Sequence, residues 1–141
     1  MAKFLVPVDG SDNAIRALQY ALDQASQHPG TELHVLNVQP PIISGAVRTF
    51  IDKATIDGYY EAESMAALQP AVALLSKSGA AYETYKEVGP VAETIAKHAK
   101  AHGCDHIIMG TRGLGAFSGY VLGSVTTKTL HLSDVPVTLV K

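Results

Sequence analysis

Ile107-Ile108-Met109-Gly110-Thr111-Arg112-Gly113, followed after nine further residues by Gly123-Ser124, is the most informative stretch of the chain. An apolar run stops at Gly110, glycines follow, and a helix-compatible segment begins near Ser124. This is the pattern of a β-strand that ends in a glycine-rich loop and passes into a helix. Bare backbone lets an anion approach closely, and the start of a helix offers unpaired N–H donors and the positive end of a dipole. A glycine cluster alone fits an empty tight turn and helix cap better than a ligand site. The full spacing, set directly after a strand, turns the reading toward phosphate binding.

The rest of the chain supplies similar units. Lys3 to Val8 reads as a strand closed by Asp9-Gly10, after which Ser11 or Asp12 caps a helix carrying Ile15, Leu18, Leu22 and Ala25 at helical spacing. His28-Pro29-Gly30 ends that helix, and Glu32 to Gln39 is a second strand. Pro40 to about Phe50 reads as a loop over the ligand edge. Met65, Leu68, Val72 and Leu75 then mark a helix that stops at Ser78-Gly79, with Gly58 weakening its start and Pro70 expected to kink or restart it. A third strand spans Ala81 to Val88, and a helix runs from Gly89-Pro90 to Gly103. The fourth strand is Asp105 to Met109, a helix follows from Tyr120 to about Leu132, and the fifth strand is Val135 to Val140, entered through Pro136. Alternating strands and helices predict a parallel sheet covered on both faces, with ligands beyond the carboxyl ends of the strands. That edge would gather Asp9, Val38 and Gly110.

Composition narrows the function. A chain of 141 residues, 47% hydrophobic and 17% charged, has the size and balance of one globular domain spanning 1–141. Its net charge of −2 offers no general attraction for nucleic acid. The lone Cys104 cannot form an intrachain disulfide, and Phe4 to Val8 is too short for a signal or membrane segment, so a cytoplasmic location without membrane insertion is expected.

The spacing G-x-x-G-(nine residues)-G-S, together with Val6-Pro7-Val8-Asp9-Gly10-Ser11 and the C-terminal Val-Pro-Val-Thr-Leu-Val, resembles the universal stress protein family in its ATP-binding form. The resemblance covers nearly the whole chain. It implies a Rossmann-like three-layer αβα sandwich whose five-stranded parallel sheet has the order 3-2-1-4-5. It implies a small cytosolic stress-response protein that binds an adenine nucleotide: ATP, or else ADP or AMP, with Mg²⁺ as a companion. In that site Asp9 would meet the ribose, beside Pro7 and Val8. Val38 and Met109 would lie against adenine. Gly110, Arg112, Gly113, Gly123, Ser124 and Val125 would form the phosphate cradle. A homodimer through strand 135–140 and an unidentified protein partner complete the expectation. The chain departs from the family in lacking a cation between Gly113 and Gly123, so Arg112 and Lys128 are the nearest positive charges in sequence. The resemblance leaves three functions open: a nucleotide-dependent regulatory module, a slow ATP hydrolase, and a dimeric interaction protein of the same fold that binds no nucleotide.

Other motifs fall short. Gly113 to Gly119 has one residue too many for a dinucleotide fingerprint, and no P-loop lysine motif is present. His98 and His102 lack the glutamate of H-E-x-x-H and read as a solvated helix face. Ser124, His131 and Asp134 lack a nucleophile elbow. Cys104 reads as a buried, inert thiol.

Overall fold

Strands covered on both faces sort their side chains by alternation into two separate cores. The computed structural model describes residues 2–42, 51–112 and 122–141. Its strands are β1 (Lys3–Pro7), β2 (Glu32–Gln39), β3 (Ala81–Val88), β4 (His106–Gly110) and β5 (Val137–Val140). They form one five-stranded sheet in the order β3-β2-β1-β4-β5, with every pairing parallel. The helices are α1 (Asp12–Gln27), α2 (Lys53–Leu75), α3 (Val91–Ala101) and α4 (Ser124–Leu132). Phe4, Val6, Leu33, Val35 and Ile108 pack with Leu18 of α1 and Leu68 and Leu75 of α2. Leu5, Leu36, Val38, Ile107 and Met109 turn the other way, onto Ile95 and Ala99 of α3. The molecule is therefore a three-layer αβα sandwich, with α4 packed along α3.

Local chemistry sets the junctions. Gly10 takes φ +89, in the left-handed region, and a Cβ there would sit 3.4 Å from the Ala67 backbone. Ser11 is the N-cap of α1, its side chain accepting from the Ala14 N–H at 3.2 Å. Asp52 caps α2 in the same way, accepting from the Thr55 N–H at 2.7 Å. The two sheet edges differ in character. Outer strand β3 is mostly exposed and carries Glu83, Lys86 and Glu87, with Lys86 paired to Glu61 of α2. Outer strand β5 is half-buried and apolar apart from Thr138.

Several expectations are corrected. The fifth strand begins at Val137, because the Ser133 hydroxyl donates to the Val135 carbonyl and accepts the Val135 N–H, holding that residue in a turn. The last helix starts at Ser124, after Gly123 in extended conformation; residues 120 and 121 lie outside the described residues, as do residues 43–50 of the loop expected from Pro40 to about Phe50. Helix α2 runs through Pro70 as one element rather than restarting. Its buried stripe is Ser64, Ala67, Leu68, Ala71 and Leu75, while Met65 and Val72 are exposed. Small Ser64, Ala67 and Ala71 let the helix approach the sheet closely, while Leu68 and Leu75 enter the core.

At the carboxyl edge of the sheet, buried Asn13 joins three elements. Its Nδ2 donates to the Val140 carbonyl at 2.9 Å, and its Oδ1 accepts from the Arg112 N–H at 2.9 Å. A Cβ on Gly110 would lie 2.7 Å from the Asn13 Cγ, so glycine at that position leaves room for the carboxamide. Removing a buried polar partner leaves its counterpart unsatisfied. Asn13→Ala should therefore cost about 1–3 kcal/mol. Urea denaturation should show a lower midpoint with an unchanged slope, and an unchanged midpoint would refute this role.

Candidate nucleotide site

Strands β1 and β4 are neighbours, but the chain leaves them in opposite directions: β1 leads through α1 to β2, and β4 through α4 to β5. Crossovers that diverge from adjacent parallel strands open a crevice at the carboxyl edge. A cavity of about 1040 Å³ lies there. Pro7, Val8 and Asp9 reach it from the end of β1, and Val38 from β2. Met109, Gly110 and Arg112 come from β4 and its exit, and Gly123, Ser124 and Val125 from the start of α4. Of the residues nominated from sequence, Gly113 lies outside the described residues. Helices α2 and α3 close the flanks with Ala66, Ala67, Val91 and Ile95.

The hydrogen bonds around the cavity hold its backbone in place. Asp9 Oδ1 accepts from the Ser11 N–H at 2.9 Å, while Ser11 rather than Asp9 caps α1. The Gly123 N–H donates to the Thr111 carbonyl at 2.8 Å. A Cβ on Gly123 would meet the Arg112 Cα at 3.1 Å, so this glycine permits a close crossing of two backbone segments. Buried Thr126 donates its hydroxyl to the Gly110 carbonyl at 2.9 Å, tying the first turn of α4 to the end of β4. No side chain caps α4 among the described residues, and its N-terminus lies at the cavity wall. An uncapped helix start carries amide donors and a partial positive charge. Of the two cations nearest the motif, Arg112 lines the cavity, whereas Lys128 is paired with Glu93 of α3.

Sequence reasoning missed two further residues of this edge. Asn37, buried in β2, donates to the Val8 carbonyl at 2.8 Å and accepts from Gln39 Nε2 at 2.9 Å. Its signal was available: an asparagine inside a Leu-Asn-Val run of a central strand needs an internal partner. Asn13, one residue into α1, looks in sequence like an ordinary cap-region residue.

Toward the other end of the sheet, the solvated face expected for His98 is overturned. His98 is 3% exposed and His34 of β2 is 5% exposed, and His34 Nδ1 lies 3.2 Å from His98 Nε2. Tyr85 of β3 stacks on His34, and the exposed His102 stacks on His98. Burial first, then the neighbouring His98, Lys3 and His102, hold the His34 imidazole below its usual 6.5, with Glu83 opposing. Burial and then His102 lower His98 in the same way, against the pull of Glu87. The contact of His98 Nδ1 with Glu87 Oε2 at 3.3 Å is thus one of a neutral ring near pH 7. Burial pushes the Cys104 thiol up to about 11, in keeping with an inert cysteine.

These shifts fix a sign. Both imidazoles bind protons more readily in the unfolded chain, so their contribution to stability is complete above 6.5 and is lost as pH falls below it. Urea midpoints should decline from pH 6.5 toward pH 5, and less steeply in His98→Gln; parallel profiles for the two proteins would contradict this.

The model of the universal stress protein family matches residues 1–141. The chain is 32% identical over 148 aligned positions to universal stress protein YxiE of Bacillus subtilis, covering 99% of this chain and 98% of that protein. Among solved structures, universal stress protein UspA from Lactobacillus plantarum superposes with a TM-score of 0.83 at 24% identity, covering 99% of this chain and 97% of that one. The universal stress protein from Archaeoglobus fulgidus, solved in complex with dAMP, gives a TM-score of 0.74 at 24% identity, covering 100% of this chain and 98% of that one. With its motif spacing, strand order and whole-length match in agreement, the chain belongs to the universal stress protein family.

Proposed function

We propose that the crevice between β1 and β4 binds an adenine nucleotide, with ATP preferred, and that its occupancy regulates the protein in a stress response. One observation carries the reading: ten of the eleven residues nominated from sequence, drawn from four separate elements, line a single cavity. Val38 and Met109 supply apolar wall for a base, and the Asp9 carboxylate accepts from ribose hydroxyls. The amides of Ser124 and Val125 at the uncapped start of α4, with the Arg112 guanidinium, attract a polyphosphate. Mg²⁺ would travel with the triphosphate and offset its charge. The dAMP bound by the Archaeoglobus fulgidus relative is of the same ligand class.

The half-buried, apolar β5 at the sheet edge supports a two-fold homodimer through residues 135–140. Exposed Leu130 and Leu132 at the end of α4 lie just before it in the chain and add apolar surface. Protein partners would then read the occupied or empty state of each crevice.

Heat-denatured, purified protein should release an adenine nucleotide, and calorimetric titration of stripped protein should show ATP binding. No release together with a flat titration would defeat the proposal. Asp9→Asn keeps an acceptor for the Ser11 N–H but loses the charge, and should weaken ATP about tenfold, or 1.4 kcal/mol. Gly123→Val should weaken it at least as much, since its side chain meets the Arg112 backbone. Unaltered affinity in both folded variants would remove the assigned residues from the site. Sedimentation velocity at micromolar concentration should give a dimer, and a monomer there would exclude the β5 interface.

A further inference from the structure

Away from the crevice, three buried donors converge from three elements. His34 comes from β2, His98 from α3, and Cys104 from the turn between α3 and β4. One ligand atom from each lies within 4.8 Å of the others. The turn is built to return Cys104 inward. Gly103 takes φ +66, its N–H donates to the Lys100 carbonyl, and the Cys104 N–H donates to the Ala99 carbonyl at 2.9 Å, a Schellman ending of α3.

We propose that His34 Nδ1, His98 Nε2 and Cys104 Sγ form a binding site for a borderline-soft divalent cation, Zn²⁺, with a fourth position left to water. Two nitrogens bound tetrahedrally to zinc stand roughly 3.3 Å apart, and a nitrogen and a thiolate roughly 3.6 Å. The observed spacing of His34 Nδ1 and His98 Nε2 is 3.2 Å, already that of a shared cation. With all three atoms within 4.8 Å of one another, the sulfur needs to close by about 1.2 Å at most to satisfy those bond lengths. His98 also has the outer support that zinc-binding imidazoles use. Its Nδ1 faces Glu87 Oε2 at 3.3 Å, so the carboxylate accepts the Nδ1 proton and leaves the Nε2 lone pair for the metal. Imidazole and thiolate donors in a tetrahedral set favour zinc over Mg²⁺ or Ca²⁺. On ligation the Cys104 thiol loses its proton to solvent, and His34 exchanges its ring proton from Nδ1 to Nε2, so both rings stay neutral. Exposed His102 stacks on His98 at a centroid distance of 4.0 Å.

The test uses full-length protein freed of metal by chelation and dialysis, titrated at neutral pH with Co²⁺ and then Zn²⁺. Co²⁺ should bind one per chain with a thiolate charge-transfer band and tetrahedral visible bands, and Zn²⁺ should displace it. Cys104→Ser should lose the charge-transfer band, and Glu87→Gln should weaken Zn²⁺ by tenfold or more. Nitrogen spectra of the unaltered protein make the result independent of whether variants fold: Zn²⁺ should shift His34 Nδ1 and His98 Nε2 and leave His131 unmoved. Absence of the charge-transfer band, unshifted imidazoles, or binding unchanged in folded Cys104→Ser would each overturn the site. The metal titration contains no nucleotide, so its outcome and that of the crevice are read separately.

Discussion

The carboxamide of Asn13 reconciles two demands made at one place. Strands β1 and β4 must lie side by side to complete the sheet, yet the chain must leave them in opposite directions for a crevice to exist. Backbone polar groups at such a divergence lose their ladder partners and, once buried, need others. From the first turn of α1, Asn13 accepts from the Arg112 N–H at the exit of β4 and gives the Val140 carbonyl at the end of β5 a second donor beside the Thr111 N–H. Thr126 does the corresponding service for the Gly110 carbonyl, and Asn37 for that of Val8. No buried side-chain nitrogen or oxygen is left unpartnered among the described residues. The rim of the crevice is therefore held before any ligand arrives, which lowers the ordering cost of binding.

Much of the architecture could be read from the chain. Strands β2 and β3 fall at Glu32–Gln39 and Ala81–Val88, the limits expected from their composition and flanking breakers. The strand order came from the resemblance and agrees with the structure. Of the helical series Met65, Leu68, Val72 and Leu75, the two leucines are buried but Met65 and Val72 are exposed, and Ala67 and Ala71 lie in the interface in their place. Val135 looked like strand because the Ser133 hydroxyl that turns it aside is a local competitor that periodicity does not register. The positions of Asp9, Gly110 and Gly123 at the cavity were readable because each belongs to a short motif at a strand or helix end. Asn13 was not, since its acceptor lies 127 positions away.

The histidines make the same point from the opposite side. Seen along α3 alone, His98 sits among lysines and appears solvated. Only the sheet brings His34 and Glu87 against it, from strands whose registry places His34 opposite Glu83. Burial in that packing, and after it His102 one turn along α3, lower its pKa and keep the ring neutral near pH 7.

The unlike margins of the sheet bear on how copies of this chain can assemble. Along β3, charged side chains of both signs make a neighbour's strand unwelcome, and Lys86 is further engaged by Glu61. Strand β5 carries no such charges. In the proposed pairing along β5, a body with one receptive margin closes into a pair and has no second place from which to extend, so strand addition would end at two chains instead of running on into a filament.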